Sequence, residues 1–152
     1  MTAGPTMDGP LTLRALRGAT TASANTAAAI AEAVAELIDA LMAHNRLEGP
    51  RVLSVTFSVT ADLNACFPAA IARRRPGWDS VALLDCQQMA VAGDLPRCIR
   101  LLAHAWLEAD RTVVHPYLRD AARLRPDRAG TAPTSFPAGH SELRRLPGLW
   151  RI

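Results

Sequence analysis

The spacing of apolar residues changes several times along this chain, and each spacing predicts a different backbone conformation. Between residues 11 and 17 apolar and polar residues alternate, which is typical of a β-strand. Between residues 24 and 45 apolar residues recur at every third or fourth position of an alanine-rich segment. This spacing predicts an amphipathic helix, which Asn25 or Thr26 can cap at its start.

The rest of the pattern predicts three more strands and a short helix. The short helix carries Pro68 in its first turn and ends before Pro76. In chain order the predicted elements are strand 11–17, helix 24–45, strand 51–60, helix 67–75, strand 81–84 and strand 98–107, followed by a mixed segment 113–124. We predict an α+β fold, a mixed β-sheet with one long and one short helix packed on one face. The uncovered face of such a sheet favours an oligomer.

The two ends of the chain differ from its middle in composition. Gly, Pro and Thr are frequent in residues 1–10, and Pro and Gly recur in residues 128–152. We therefore predict one domain, residues 11–127, between a flexible N-terminal extension, 1–10, and a mobile C-terminal tail, 128–152. The sequence contains neither a membrane-length apolar run nor a recognisable secretory signal, so we expect no membrane partner and a cytoplasmic location.

The charged residues exclude some partners and leave others open. All 17 basic residues are arginine, and the formal net charge is +3. Arginine fits carboxylates and phosphates well, although GC-rich codon usage also produces an arginine-only set. The only tight basic run is Arg73–Arg75 and aromatic residues are 5% of the chain, so we expect no nucleic-acid partner. The cysteines lack metal-ligand spacing, and we expect no metal site.

Two arginines stand at unusual positions, in a chain that lacks the common nucleotide-binding, hydrolase and zinc-protease motifs. Arg17 is predicted to end the first strand, just before Gly18. Arg100 lies inside an otherwise apolar strand, where a charge needs a partner. The residue pattern alone leaves two interpretations open, an anion-binding site and an ordinary solvated sheet face.

Several blocks of sequence resemble the trimeric, Bacillus-type chorismate mutases. The blocks are RGATT at 17–21, TADLNACFPA at 60–69, GDLPRCIR at 93–100, HPYL at 115–118 and LRPD at 124–127. They agree with the family in order and spacing from about Leu13 to Asp127. The resemblance implies a homotrimer, a trimeric pseudo-barrel with active sites at the subunit interfaces. It also implies rearrangement of chorismate to prephenate without a cofactor.

The resemblance also assigns roles to individual residues. It places Arg17 and Tyr117 on a substrate carboxylate, and Arg100 on the ether oxygen and the enolpyruvyl carboxylate. It brings Phe67 and Ala69 to the ring from the adjacent subunit. It also implies that Arg73, Leu83, Leu84, Leu124 and Arg125 belong to the site. Of these, Leu124 and Arg125 belong to a C-terminal segment that closes over the pocket.

The chain departs from the family at a position that usually holds glutamate. That position is Gln88, and three residues earlier a cysteine-like residue of the family is replaced by Asp85. In the hypothesis that we favour, the carboxylate has moved to Asp85, Gln88 is a neutral hydrogen-bonding partner, and both positions line one pocket. Alternatively, the pocket takes another chorismate-like substrate, such as 4-amino-4-deoxychorismate. In a third account Asp85 faces solvent and the enzyme is weak or inactive. A separate alternative is a non-catalytic trimer that binds a metabolite.

Overall fold

Four strands and two α-helices form the part of the chain that the computed structural model describes, residues 9–128. Residues 1–8 of the predicted extension and residues 129–152 of the predicted tail lie outside the described residues. The elements are β1 Leu11–Thr21, α1 Ala27–His44, β2 Val52–Val59, α2 Pro68–Ala72, β3 Ala82–Gln87 and β4 Cys98–Glu108. A 3-10 turn, Arg119–Arg123, follows near the end of the described chain.

The strands form one mixed sheet in the order β1-β4-β2-β3. The pairs β1–β4 and β4–β2 are antiparallel, and β2–β3 is parallel. Successive side chains of a strand point to opposite faces, so alternate residues of β4, such as Ile99 and Leu101, pack in the core. Both helices contribute to that same core, which confirms the predicted fold class with the helices on one face. The other face of the sheet, which we call the open face, carries Arg100, Leu102 and Trp106.

Helix α1 forms the main layer over the sheet. It begins at Ala27, three residues later than predicted, because Thr26 caps it: the Thr26 hydroxyl accepts a hydrogen bond of 3.1 Å from the Ala29 amide. The residues of its buried stripe follow helical spacing and are Ala29, Ile30, Ala33, Val34, Leu37, Ile38 and Leu41. Burial of each large apolar side chain in such a stripe contributes about 1.5–3 kcal/mol, which fixes the helix on the sheet.

Strand β1 continues past Gly18 to Thr21, so the prediction that Arg17 ends the strand is wrong. Gly18 does not end the strand, because it serves to allow close packing. A Cβ atom at Gly18 would lie 3.1 Å from the Pro116 carbonyl oxygen and 3.1 Å from a methyl group of Leu37. The missing side chain lets the segment around Pro116 lie directly against a strand that remains fully paired.

Two other boundaries differ from the prediction in ways that matter for the site. Strand β3 ends at Gln87, not at Leu84, so Asp85 is a strand residue with a defined face. Helix α2 is shorter than predicted, and Phe67 precedes it as its N-cap while Arg73 follows it as its C-cap. Strand β3 is longer than predicted because it pairs with β2 as far as Gln87. Helix α2 begins at Pro68 because proline suits the first turn of a helix.

A buried amide anchors the chain after β4 to the end of α1. Asn45, 1% exposed, donates hydrogen bonds of 2.9 Å to the Leu41 carbonyl and 2.8 Å to the Val114 carbonyl. Its Oδ1 accepts a third bond, of 2.8 Å, from the Val114 amide. The side chain thus completes the C-terminus of the helix and pairs both backbone groups of Val114.

The chain that leaves Val114 runs along the outer edge of β1. The Ala19 amide donates to the Pro116 carbonyl at 3.0 Å, and the Leu118 amide donates to the Ala19 carbonyl at 2.8 Å. These bonds make a short parallel bridge between Ala19 and Tyr117. They cover an otherwise open sheet edge and fix Tyr117 beside β1.

Replacing Asn45→Ala is expected to lower the free energy of unfolding by about 3 kcal/mol, because it leaves both backbone groups of Val114 without partners. Urea denaturation at one protein concentration measures the loss. The matched control is Asn64→Ala, an exposed asparagine, which is expected to cost less than about 1 kcal/mol. Equal losses in the two variants would contradict the anchoring role of Asn45.

Candidate active site

Arg17 and Arg100 lie close together on the open face of the sheet. Ala19 is directly opposite Arg100 in the β1–β4 ladder, and Arg17 lies two residues before Ala19 on the same face. Arg17 and Arg100 are therefore diagonal neighbours on adjacent strands, within reach of one another's long side chains. On its other side Arg100 is opposite Ser58 of β2. The structure thus brings together the two arginines that the sequence singled out.

Arg100 is buried and has a carboxylate partner. The residue is 9% exposed, and its Nη2 lies 2.9 Å from Oδ1 of Asp94. Its Nη1 lies 3.5 Å from the second oxygen of the same carboxylate. A guanidinium with so little access to water requires such compensation. Of the two interpretations that the pattern left open, this burial and this ion pair favour a site at Arg100 over an ordinary solvated sheet face.

Arg17 differs from Arg100 because no described residue binds its side chain. The guanidinium makes no hydrogen bond or ion pair to any residue in the range 9–128, although the residue is half-buried. Its backbone amide donates a hydrogen bond of 2.8 Å to Nδ1 of His115, which fixes β1 against the C-terminal segment. The charge of Arg17 is therefore available to an anionic ligand on the open face.

Tyr117 is 4% exposed and lies beside β1. Its ring packs in a small apolar cluster, which also contains Ala19, Leu95, Ala121 and Leu124. Arg125 follows, and its guanidinium binds the Asp127 carboxylate at 2.9 Å. That hydrogen bond is the main reason why the pKa of Arg125 is raised, and the nearby Tyr117 phenol adds to the effect. The predicted residues Tyr117, Leu124 and Arg125 thus lie together near the arginines.

Gln88 joins the same face just beyond the end of β3. Its backbone N–H donates a hydrogen bond of 2.7 Å to the Val59 carbonyl, and its side-chain Oε1 accepts one of 2.7 Å from the Ser58 hydroxyl. Ser58 is opposite Arg100, so Gln88 binds a residue that neighbours that arginine on the adjacent strand. Its Nε2 hydrogens have no acceptor within residues 9–128 and can donate to a ligand. We call Arg17, Gln88, Arg100 and Tyr117 the sheet-face cluster.

Asp85 points to the opposite face of the sheet. It lies opposite Phe57 in the parallel β2–β3 ladder, and Phe57 is fully buried in the core under the helices. The Asp85 carboxylate accepts a hydrogen bond of 3.0 Å from the Ala69 amide of α2. Burial raises the pKa of Asp85, and the opposing effects of the Ala69 amide and of Arg73 do not cancel it. The backbone of α2 thus holds this half-buried carboxylate in place.

Three other expected residues lie at the start and end of α2, the helix whose backbone binds Asp85. Ala69 is buried, whereas the ring of Phe67 is 71% exposed, an unusual condition for a large aromatic side chain. Arg73 is exposed and close enough to Asp85 to affect its pKa. We call Phe67, Ala69, Arg73 and Asp85 the helix-edge cluster.

The two clusters do not meet within one chain. Because side chains alternate along β3, Asp85 points towards the helices, while Gln88 binds Ser58 on the open face. The two leucines before them separate in the same way: Leu83 packs against the core, and Leu84 is 59% exposed on the open face. The expectation that Asp85 and Gln88 line one pocket is therefore not met by a single chain.

Two polar residues of the site were missed from the sequence, Asp94 and Ser58. Asp94 stands six residues before Arg100, but only the folded turn shows that its side chain reaches the guanidinium. Ser58 is one of several small polar residues in β2, and its role depends on its register with both neighbouring strands. A useful signal would have been an acidic residue just before a strand that contains a buried arginine.

Other features of the described chain lie apart from these clusters. A cavity of about 610 Å³, lined among others by Arg14, Arg111 and Val113, contains none of the residues of either cluster. Within residues 9–128 no three His, Cys, Asp or Glu side chains are grouped so that they could hold a metal ion. None of the described helices has the length and apolarity needed to cross a bilayer.

Comparison with known proteins identifies the family. The family model of chorismate mutase type I matches residues 13–128. This chain belongs to the type I chorismate mutase family. A chorismate mutase of Thermus thermophilus is 43% identical over 119 residues, which span 76% of this chain and 95% of the relative. A chorismate mutase of Bacillus subtilis is 32% identical over 125 residues, which span 82% and 98%.

A solved structure agrees with the sequence relatives. A chorismate mutase from Clostridium thermocellum matches with a TM-score of 0.66 and 39% identity, covering 72% of this chain and 98% of its own. The resemblance and the fold class predicted from the sequence are thereby confirmed. The family also confirms the enzyme class, an isomerase, and its link to aromatic amino acid biosynthesis.

Proposed function

We propose that this protein is a cytoplasmic homotrimer that converts chorismate to prephenate at sites completed between neighbouring copies. In each site the sheet-face cluster of one copy faces the helix-edge cluster of the next. The observation that carries this proposal is the separation of the two clusters onto opposite faces of one sheet. Each cluster holds one part of the residue set that the family resemblance implies for a single pocket.

The open face of the sheet supports assembly with further copies. Neither α1 nor α2 lies on it, and away from the C-terminal segment that packs on Ala19 it presents large apolar side chains that are 39–59% exposed. These side chains are Leu13, Leu84, Leu102 and Trp106. Such a surface is unfavourable in water, and its burial between copies would stabilise an oligomer. The same burial would exclude water from the sheet-face cluster.

To catalyse this reaction an enzyme must bind and orient the substrate and stabilise charge, and it needs no reactive side chain. The [3,3] rearrangement breaks an ether C–O bond and forms a C–C bond without proton transfer, a nucleophile or a metal. The enzyme must hold the flexible dianion in its compact conformation, which is an orientation effect. We assign Arg17, whose guanidinium has no partner in the described chain, and the Tyr117 hydroxyl to one substrate carboxylate. The segment around Leu124 and Arg125 borders this position.

The second task is to stabilise charge as the ether bond breaks. Negative charge grows on the ether oxygen, and Arg100 is our candidate for its principal partner. A guanidinium already fixed in a buried position stabilises this charge without reorganisation at the moment of reaction. Since the charge on the oxygen is larger in the transition state than in the substrate, the interaction raises the rate and does more than tighten binding. Gln88 can add a neutral hydrogen bond from its Nε2.

Positive charge grows on the ring at the same time. In our proposal Asp85 of the neighbouring copy supplies the negative charge for which the family uses a glutamate. The structure supports this moved carboxylate in two ways: Asp85 is half-buried, and the Ala69 amide fixes its orientation next to Phe67. A carboxylate in such surroundings interacts more strongly with a developing cation than one in water. Gln88 then serves the opposite end of the breaking bond.

Arg100→Ala is expected to lower kcat by about 10²–10³-fold with a much smaller change in KM, as for the loss of one oxyanion donor. Arg100→Lys is expected to restore little, because an ammonium group cannot serve the ether oxygen and a carboxylate together. The fall in ultraviolet absorbance of chorismate measures turnover. Arg111→Ala is the matched control, since Arg111 binds Glu108 at the far end of β4, and it is expected to keep full activity.

Three results would count against this account. A change in KM alone for Arg100→Ala would remove the role in charge stabilisation. Turnover of 4-amino-4-deoxychorismate but not of chorismate, assayed in parallel, would assign the site to another substrate. Binding of chorismate without its consumption by the wild-type protein would make the trimer a metabolite-binding protein.

Asp85→Asn is expected to lower kcat strongly, and Gln88→Ala is expected to lower it less, because only the first removes a charge. Burial raises the pKa of Asp85. On acidification the wild-type activity should therefore be lost at a higher pH than if Asp85 titrated as an ordinary aspartate, with a pKa of about 3.9. The residual activity of Asp85→Asn should not show this loss at acidic pH. Profiles of kcat/KM against pH check both points, and equal small effects of the two substitutions would refute the moved carboxylate.

A further inference from the structure

The carboxylate that binds Arg100 is itself rigidly held. Asp94 follows Gly93, whose φ of +82° suits the tight turn before β4. The Asp94 amide donates to the Val91 carbonyl at 3.1 Å, and the Leu95 amide donates to Asp94 Oδ1 at 2.8 Å. The Asp94 side chain is 16% exposed. Both its backbone and its carboxylate are therefore fixed by the turn, independently of Arg100.

The ion pair uses one particular edge of the guanidinium. Asp94 binds through Nη1 and Nη2, at 3.5 and 2.9 Å, and so occupies the end of the planar fork. A guanidinium carries five N–H groups in fixed directions, so this contact leaves the lateral edge, with Nε and one Nη, for another acceptor. No described residue accepts a hydrogen bond from the Nε of Arg100. The direction of that lateral edge is set by where Asp94 holds the end of the fork.

We propose that Asp94 is a positioning residue for the reaction: it aligns Arg100 so that the lateral edge of the guanidinium meets the breaking ether bond. This inference rests on the proposed function, because it assigns Asp94 a task within that site. Asp94 acts through Arg100 and does not touch the substrate. Its carboxylate also lowers the net charge that Arg100 presents, so it weakens attraction of the dianion while it improves alignment.

These two effects separate a positioning role from a merely structural one. Loss of the carboxylate frees the guanidinium to rotate, which disturbs a geometry on which the rate depends steeply. The same loss exposes the full positive charge of Arg100, which strengthens binding of a dianion. The positioning role therefore predicts changes of kcat and KM in the same downward direction. A purely structural salt bridge would change stability without this pattern.

The test compares Asp94→Asn with the wild type and with Glu108→Gln, which removes the carboxylate of the other ion pair near β4. We expect Asp94→Asn to lower kcat about tenfold, with KM about threefold lower because the net charge of the site rises. Glu108→Gln should leave both values unchanged. An unchanged or higher kcat in Asp94→Asn, a higher KM, or an equal loss in Glu108→Gln would overturn the proposal.

A second readout does not depend on turnover. Nitrogen-15 NMR of the intact protein should show restricted rotation of the Arg100 guanidinium in the wild type and free rotation in Asp94→Asn, with the fold retained by circular dichroism. Free rotation already in the wild type would overturn the positioning role. If the wild type fails to consume chorismate, the proposed function fails, while the NMR comparison still decides whether Asp94 orients Arg100.

Discussion

A buried guanidinium in the middle of the sheet is the interaction on which the rest of the site depends. Arg100 is 9% exposed, so the fold must supply a countercharge, and it does so from the turn that leads into β4. That arrangement fixes a positive charge at a defined place before any substrate arrives. The side chain of its neighbour Arg17 has no partner in the described chain, and together the two guanidinium groups present charge on the open face. The strand order and the turn before β4 thus hold the Arg100 guanidinium in a fixed position.

The alternation of side chains along a strand decides how the site is divided. Gln88 comes three positions after Asp85, and this odd offset sends the two side chains to opposite faces of the sheet. One chain therefore carries the sheet-face cluster on its open face and the helix-edge cluster near α2. The exposed apolar residues of the open face and the exposed ring of Phe67 are further surfaces that the proposed assembly would bury. In that proposal a second copy brings the two clusters together.

The sequence was a good guide to elements and a poor guide to side-chain directions. Helical spacing between residues 30 and 41 and the apolar character of β4 were sufficient for the fold class. Gly18 was misinterpreted as a strand end because glycine marks both turns and close packing, and only the contact with Pro116 distinguishes them. The partner of Arg100 depended on the shape of one turn, and the separation of Asp85 from Gln88 depended on β3 extending beyond Leu84. Local patterns do not contain either fact.

The most direct measurement is the activity of mixed oligomers formed from Arg100→Ala and Asp85→Asn chains. Each variant alone lacks one part of every site. If sites form between copies, random assembly from equal amounts should restore about a quarter of the sites, each with its sheet-face cluster from one variant and its helix-edge cluster from the other. Turnover of chorismate should rise to about a quarter of the wild-type value on mixing. No gain in turnover, although native mass spectrometry shows mixed oligomers, would contradict a site shared between copies.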